Sequence, residues 1–484
     1  MIDIDPRQCS CIGVFFIYIK LKNDKREVKG KDLKCKKGED KMNKEMILEL
    51  IGKKDFSILK EQLSEMNPVD LATLLEELEE RELLTIFRVL NKEEAAETFS
   101  YMNTAIRQML IGGLTDNELK EVMDEMFLDD AVDVIEEMPA NVVKRILKNT
   151  DEETRNSINT ILNYPKDSAG SIMTIEYIHL KKDMYVSEAI ERIRTEGIDK
   201  ETIYTCYVTE NRKLIGLVSV KDLLMSKDGD RVEDIMETQV IWTYTHEDRE
   251  NVAKMFGKYD FLAIPVVDTE KCLVGIVTVD DAIDVMEEEA TEDITKMAAM
   301  SPSEDGYFET SVLKHAKYRI LWLLVLMLSA TVTGSIITNY EEAFATIPLL
   351  VAFIPMLMDT GGNCGSQSST LIIRGLALDE IKLKDFFKVI FKEFRISLIV
   401  SIVLATVNGI RILIMYQDLT LAIVVGCSLV CTVIVAKVMG CILPLVAKKC
   451  KLDPAIMAAP LITTIVDTCS ILVYFKFATL FFKL

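Results

Sequence analysis

The sequence predicts a multidomain membrane protein: an all-α superhelical N-terminal module, an α/β module built on a tandem repeat, and an α-helical five-span transmembrane domain. Three observations carry that prediction. Long uncharged stretches are confined to the last third of the chain, where roughly 20 apolar residues match a hydrocarbon core of roughly 30 Å. The segment Leu214–Leu224 recurs as Leu273–Ile283, 59 residues later. Residues 42–163 are rich in Leu, Glu and Met, with apolar positions spaced three and four apart. Charge divides the same way. The 484 residues carry a formal −20, yet residues 319–484 hold 14 Lys and Arg against 10 Asp and Glu, so the first 318 are net −24. An anionic soluble part argues against nucleic acid, whose phosphates need basic patches, and suits solvated helices or divalent cations. The 11 cysteines show no CxxC pair, and with His179, His246 and His315 alone, zinc sites and histidine catalysis lack support. No phosphate-binding G-x-x-x-x-G-K-[ST] loop is present, and the chain does not read as an enzyme.

Residues 1–41 differ from the rest of the chain. The nine apolar residues Cys11–Ile19 are too short to span a bilayer, and Asp3 and Asp5 stand where a signal peptide would be basic. Either this stretch is a disordered extension, or the natural start is Met42, with codons for Lys37-Gly38-Glu39 serving as a bacterial ribosome-binding sequence. Residues 42–165 form the acidic helical module. Within it Asp70–Leu78 (DLATLLEEL) recurs as Asp130–Met138 (DAVDVIEEM), with Glu94–Met102 a weaker copy between them. Such a module binds or regulates.

The tandem repeat occupies 166–229 and 230–284. Gly216, Ser219 and Asp222 match Gly275, Thr278 and Asp281, and each copy is preceded by a β-rich run, Thr205–Glu210 or Leu262–Asp268. Amphipathic helices are expected near Val186–Thr195 and Arg249–Tyr259. The repeated G-x-[LIV]-[ST]-x-x-D resembles a tandem CBS pair. That resemblance implies an adenine nucleotide such as ATP at the pair, with Asp222 and Asp281 against a ribose; the alternative is that both aspartates cap the adjoining helices. The connector, 285–316, continues an acidic helical face through Asp281, Asp284, Glu288 and Glu292. Carboxylates so crowded repel one another unless counter-ions intervene.

The membrane domain, 317–484, begins with 21 uncharged residues between Arg319 and Glu341. The second span, 343–373, is expected to be broken by DTGGNCGSQSST (Asp359–Thr370), since glycines and hydroxyls at membrane depth mark close packing or a cavity. The third and fourth cover Ile396–Tyr416 and Leu419–Ala447. The fifth, Ala455–Phe475, carries the single charge Asp467, with Pro460, Thr463, Thr464, Ser470 and Tyr474 near the same side. A carboxylate at that depth costs roughly 2.5–3.5 kcal/mol, so it is protonated, bonded to a neighbouring helix, or part of a cation pathway. Basic residues crowd the 374–395 and 448–451 connections, which by the positive-inside rule places the N-terminal modules in the cytosol and the C-terminus outside. Lys437, inside the fourth span, either snorkels to the interface or pairs with Asp467.

Pro355–Leu378 (PMLMDTGGNCGSQSSTLIIRGLAL) and Asp453–Asp467 (DPAIMAAPLITTIVD) closely resemble the membrane domain of the MgtE family of Mg²⁺ channels and transporters, and the order of modules from Met42 onward is similar to that family's. The resemblance implies a homodimer in the plasma membrane with a pore on its two-fold axis. Asp467 corresponds to the pore aspartate, near Thr463 and Thr464, and the motif residues are Gly361, Gly362, Asn363, Gly365 and Gln367. Asp359 is a second pore carboxylate or a partner for amides freed at a helix end. The resemblance further implies that cytosolic Mg²⁺ closes the pore by bridging acidic residues. The matching positions are Asp248, Glu250, Asp260, Asp281, Asp284, Glu289, Glu292 and Asp293, with Asp129 and Asp130 in the helical module. Two other readings are open: an exchanger coupling Mg²⁺ to Na⁺ or H⁺, and a membrane-anchored nucleotide sensor.

Overall fold

A computed structural model describes residues 42–303, 307–308, 310–340, 347–457 and 459–482. Residues 1–41, and with them the question of the start site, lie outside the described residues. The chain divides into two compact units, one ending at Thr115 and one beginning at Asp116.

The first unit is a run of six short helices: α1 (Lys44–Lys53), α2 (Phe56–Ser64), α3 (Pro68–Leu75), α4 (Glu80–Phe87), α5 (Lys92–Ser100) and α6 (Thr104–Gly113). Asparagine starts four of the six. Asn43, Asn67 and Asn103 each accept a hydrogen bond from a backbone N–H of the first turn, and Asn91 forms a capping box with Glu94. Each helix then buries one apolar stripe, including Leu59, Leu71, Leu83, Phe99 and Leu110.

The second unit opens with four more such helices, α7 (Asp116–Glu125), α8 (Leu128–Glu137), α9 (Ala140–Asn149) and α10 (Glu152–Leu162). The tandem repeat comes next. In its first half β1 (Tyr177–Lys181) pairs parallel with β2 (Thr202–Glu210), β2 pairs antiparallel with β3 (Lys213–Ser219), and α11 (Val186–Glu196), α12 (Val220–Met225) and α13 (Val232–Ile235) complete it. The second half repeats the plan with β4 (Thr243–Tyr244), α14 (Arg249–Tyr259), β5 (Ala263–Val267) and β6 (Leu273–Thr278). The repeated glycine has a packing reason. A Cβ on Gly275 would lie 2.7 Å from the Thr174 carbonyl oxygen, where residue 174 forms a bridge with Ile276.

β6 runs directly into α15 (Val279–Met297), so the acidic face is one continuous helix leaving the sheet. After it come α16 (Val312–Asn339), a 3₁₀ turn (Pro348–Phe353) leading into α17 (Ile354–Ala377), α18 (Phe386–Tyr416), α19 (Leu419–Lys449), a second 3₁₀ turn (Pro454–Met457) and α20 (Ala459–Phe482). Four of these segments are long and apolar enough to cross a membrane: Val312–Asn339, Leu383–Tyr416, Leu419–Lys449 and Pro454–Phe482. The glycine-rich segment is not a break. It lies inside α17, which is helical throughout, and the physical reason is packing rather than backbone irregularity. A Cβ on Gly361 would meet Val466 at 2.8 Å, one on Gly362 would meet Thr463 at 2.9 Å, and one on Gly365 would meet Ile462 at 2.7 Å. The missing side chains let α17 lie against α20 and α19 at close range.

Candidate functional site

Asp467 lies at the ninth position of α20, half-buried, and forms no hydrogen bond or ion pair among the described residues. The charge that acts on it is Asp359 of α17. Thr463 and Thr464 both donate to the Pro460 carbonyl oxygen, at 2.9 and 2.8 Å, which leaves their oxygen lone pairs as acceptors. The polar side expected on this helix is narrower than its spacing implied. Ser470 is buried and donates to Val466 O, and the Tyr474 hydroxyl is buried and donates to Leu350 O at 2.9 Å. On α17, Asp359, Asn363 and Gln367 are spaced four apart and stand exposed along one face, opposite the packed glycines.

Lys437 does neither of the things its position suggested. Its Nζ is buried, donates to Ser368 Oγ at 3.2 Å and lies 3.9 Å from Glu393 Oε2, while Ser368 Oγ donates to that same carboxylate oxygen at 2.8 Å. The relay ties α17, α18 and α19 together and leaves Asp467 without an ion pair among the described residues.

Outside the membrane segments the carboxylates fall into two groups. In the first, ligand oxygens of Asp129, Glu176 and Glu201 all lie within 4.8 Å of one another. Local structure sets each of them. Asp129 sits in the first turn of α8, Glu176 accepts from the Leu128 N–H at 3.2 Å and so caps that helix, and the Glu201 N–H donates to the Glu176 carbonyl. Burial and neighbouring charges push the acids toward their neutral forms. Glu201 rises to about 8 through burial and the fields of Asp280, Asp281 and Asp130. Asp129 and Asp281 rise well above the usual carboxylate range, each by burial first and then by neighbouring carboxylates. None of Asp129, Glu176, Glu201 and Asp281 forms an ion pair among the described residues. A small divalent cation fits such a donor set, because hard oxygen ligands with unbalanced negative charge are what Mg²⁺ binds.

The second group surrounds the far end of α15. Asp293 rises to about 6 through burial and the charges of Asp453 and Glu250. Lys296 bridges Glu292 at 2.5 Å and Asp453 at 2.7 Å. Asp453 lies just ahead of the 3₁₀ turn that leads into α20, and Ser369 of α17 donates to the Met457 carbonyl of that turn at 3.0 Å. One short turn is therefore held by the acidic helix on one side and the glycine-rich helix on the other, just ahead of α20, whose first residue lies about 12 Å from Asp467 by helical rise. Glu289 pairs with Arg249 at 3.2 Å, which also holds Glu288 at 2.8 Å.

Other expected residues stand apart. Asp248 is the N-cap of α14 and Asp260 its left-handed C-cap, at opposite ends of an 11-residue helix. Glu250 pairs with Lys254 at 2.6 Å while its charge still reaches Asp293 of the second group, and Asp284 lies at the surface. Asp222 accepts from its N-cap Ser219 at 2.5 Å, and Asp281 accepts from Thr278 at 2.6 Å, so both repeat aspartates close the first turn of a helix. Asp281 lies outside the first carboxylate group but in the field of its Asp129, and Asp281 and Asp130 both act on its Glu201. Glu176, Glu201 and Asp453 were not singled out from the sequence. Asp453 carried a signal, because it precedes the proline at the start of the last span, whereas the two glutamates carried none.

Three family models match the chain: a divalent cation transporter model over residues 354–477, the MgtE intracellular N domain over 66–167, and CBS domains over 169–228 and 232–288. The magnesium transporter MgtE of Thermus thermophilus is 35% identical over 437 residues, 89% of this chain and 97% of that protein. The magnesium transporter MgtE of Bacillus subtilis is 34% identical over 420 residues, 87% and 93% of the two chains. Among solved structures, the cytosolic domain of the Mg²⁺ channel MgtE in complex with ATP is 35% identical and covers 49% of this chain and 98% of its own, with a TM-score of 0.47.

Proposed function

Because this chain belongs to the MgtE family of divalent cation transporters, we propose that it carries Mg²⁺ through the plasma membrane at Asp467 and closes when cytosolic Mg²⁺ fills the two carboxylate groups. The observation that carries the transport reading is Asp467 on a membrane helix, unpaired among the described residues, beside Asp359 and two hydroxyl groups that can still accept. Such a carboxylate is destabilised alone and stabilised by a passing cation. A homodimer is inferred from the exposed face of α17, since Asp359, Asn363 and Gln367 against lipid would be costly, whereas a second copy facing them encloses a polar path. Facing copies of Asp467 then hold a hydrated ion through water, as the high dehydration cost of Mg²⁺ favours. The membrane potential supplies roughly 2.3 kcal/mol per charge per 100 mV, so import into the cytosol needs no ATP hydrolysis.

Gating is a consequence of charge. Without Mg²⁺ the Asp129–Glu176–Glu201 group repels itself and the α8 contact loosens; with Mg²⁺ the same oxygens hold the modules together. The Lys296–Asp453 bridge carries the position of α15 to the turn ahead of α20. Adenine nucleotide at the CBS pair, with Asp222 near the ribose, would stabilise the same assembled form.

The test is Mg²⁺ uptake into liposomes under an imposed potential, with Mg²⁺ on the cytosolic face set low and then high. Fast uptake suppressed at high Mg²⁺ is expected. Asp467→Ala should abolish uptake while the dimer persists; normal uptake by that variant overturns the pore assignment. Uptake that needs a Na⁺ or H⁺ gradient would replace the channel by an exchanger.

A further inference from the structure

The outer face of α18 and α19 carries a groove that neither transport nor gating uses. It measures about 750 Å³ and is lined by Phe387, Ile390, Phe391 and Phe394 of α18 and by Val435 and Met439 of α19, among others, with no polar side chain in its wall. Phe387 is 83% exposed and Phe391 63%, so the groove opens sideways at the start of α18, just ahead of the span expected from Ile396, which on the membrane reading of these helices is the cytosolic interface of the bilayer. The same turns of α18 carry cations. Lys388, Lys392 and Arg395 are exposed and form no ion pair among the described residues, and the Arg395 guanidinium lies 6.0 Å from the centre of the Phe391 ring in the groove wall. The local carboxylates are already engaged: Glu393 is buried with Ser368 and Lys437, and Asp385 accepts from the Lys382 N–H.

We propose that this groove is a binding site for an anionic phospholipid, whose acyl chain lies along the phenylalanines and whose headgroup phosphate is held by Lys388, Lys392 and Arg395. An apolar slot takes any acyl chain, so the uncompensated cations beside it set the preference for a negative headgroup over a zwitterionic one. The inference rests on α18 and α19 spanning the membrane but not on the ion carried or on how the pore closes.

Native mass spectrometry of the delipidated full-length protein, titrated with phosphatidylglycerol and separately with phosphatidylcholine, tests it. The wild type should retain phosphatidylglycerol in preference. The exposed triple substitution Lys388→Gln, Lys392→Gln, Arg395→Gln should weaken phosphatidylglycerol binding roughly a hundredfold, at about fivefold per cation, and leave phosphatidylcholine binding unchanged. Val435→Trp, which fills the slot, should reduce retention of both lipids. Equal retention of the two lipids by the wild type, or an unchanged preference in the triple variant, overturns the proposal. A benzophenone side chain at position 391 separates the occupants: adducts with phosphatidylglycerol support the proposal, and adducts with a second copy of this chain overturn it. Mg²⁺ uptake by the triple variant is read in parallel, so a failed lipid preference and a failed transport reading give different results.

Discussion

At the scale of single residues, the membrane domain holds two kinds of charge. Asp467 has no counter-charge among the described residues, whereas Lys437 and Glu393 neutralise one another through Ser368. Removing one member of a buried pair strands the other, at a cost of roughly 3–5 kcal/mol, while replacing both with apolar groups is often close to neutral. Lys437→Met alone should therefore lower thermal stability sharply, and Lys437→Met with Glu393→Leu should recover most of the loss. A double variant no better than the single would show that the relay does not hold α18 in place. Asp467→Ala should behave in the opposite way, losing transport without losing stability. The spacing of Asp467 with Thr463 and Thr464 could be read from the chain. The partner of Lys437 could not, because Glu393 and Ser368 lie on two other helices and any of several carboxylates could have met it.

Helices and their contacts form the next scale. α17 does its work through what its glycines lack. Gly365 approaches Ile462 of α20 and the Ala436 carbonyl of α19 at once, so an added side chain has nowhere to move. Overpacking of that kind costs roughly 1–3 kcal/mol. Gly365→Val should lower the melting temperature of the membrane domain and impair uptake, whereas Gly409→Val on α18, where an added Cβ meets nothing within 4 Å, should do neither. Equal effects at both positions would mean that the glycines do not serve close packing. The sequence marked this stretch as unusual and named close packing as one reason for it, but the break expected there does not occur. Small and polar residues at membrane depth fit an unwound segment and a tightly packed helix equally well, and only the neighbouring helices distinguish them.

For the whole molecule, protons and Mg²⁺ compete for the same carboxylates. Glu201 is raised to about 8 and Asp293 to about 6, so the folded chain holds protons that the unfolded chain releases near the ordinary carboxylate range. Linkage gives the sign. These groups support the fold most fully below about pH 4, where both states are protonated, and that support is lost as pH rises toward 8 and ionised neighbours repel. Added Mg²⁺ should reverse the loss and act more strongly at pH 8 than at pH 6, where it must displace protons. Amide exchange in α15 measures this: protection without Mg²⁺ should fall from pH 6 to 8 after correction for intrinsic rates, and Mg²⁺ should restore it. Glu201→Gln should flatten both dependences. Protection indifferent to Mg²⁺ at pH 8 would remove the carboxylate groups as sensors.

The sequence by itself determined the three-part organisation, the duplicated α/β plan and the identity of the membrane carboxylate, because periodicity, repeats and uncharged length are written in neighbouring residues. Asn43, Asn67, Asn91 and Asn103 likewise set helix starts locally. Only the tertiary structure decided which acids meet. Asp129, Glu176 and Glu201 come from a helix start, a loop and a strand edge, and nothing local in Glu176 or Glu201 separates them from the many solvated glutamates of this acidic chain. Proximity between distant residues is created by packing, and so are the burial and mutual repulsion that turn ordinary carboxylates into the candidate cation site proposed above.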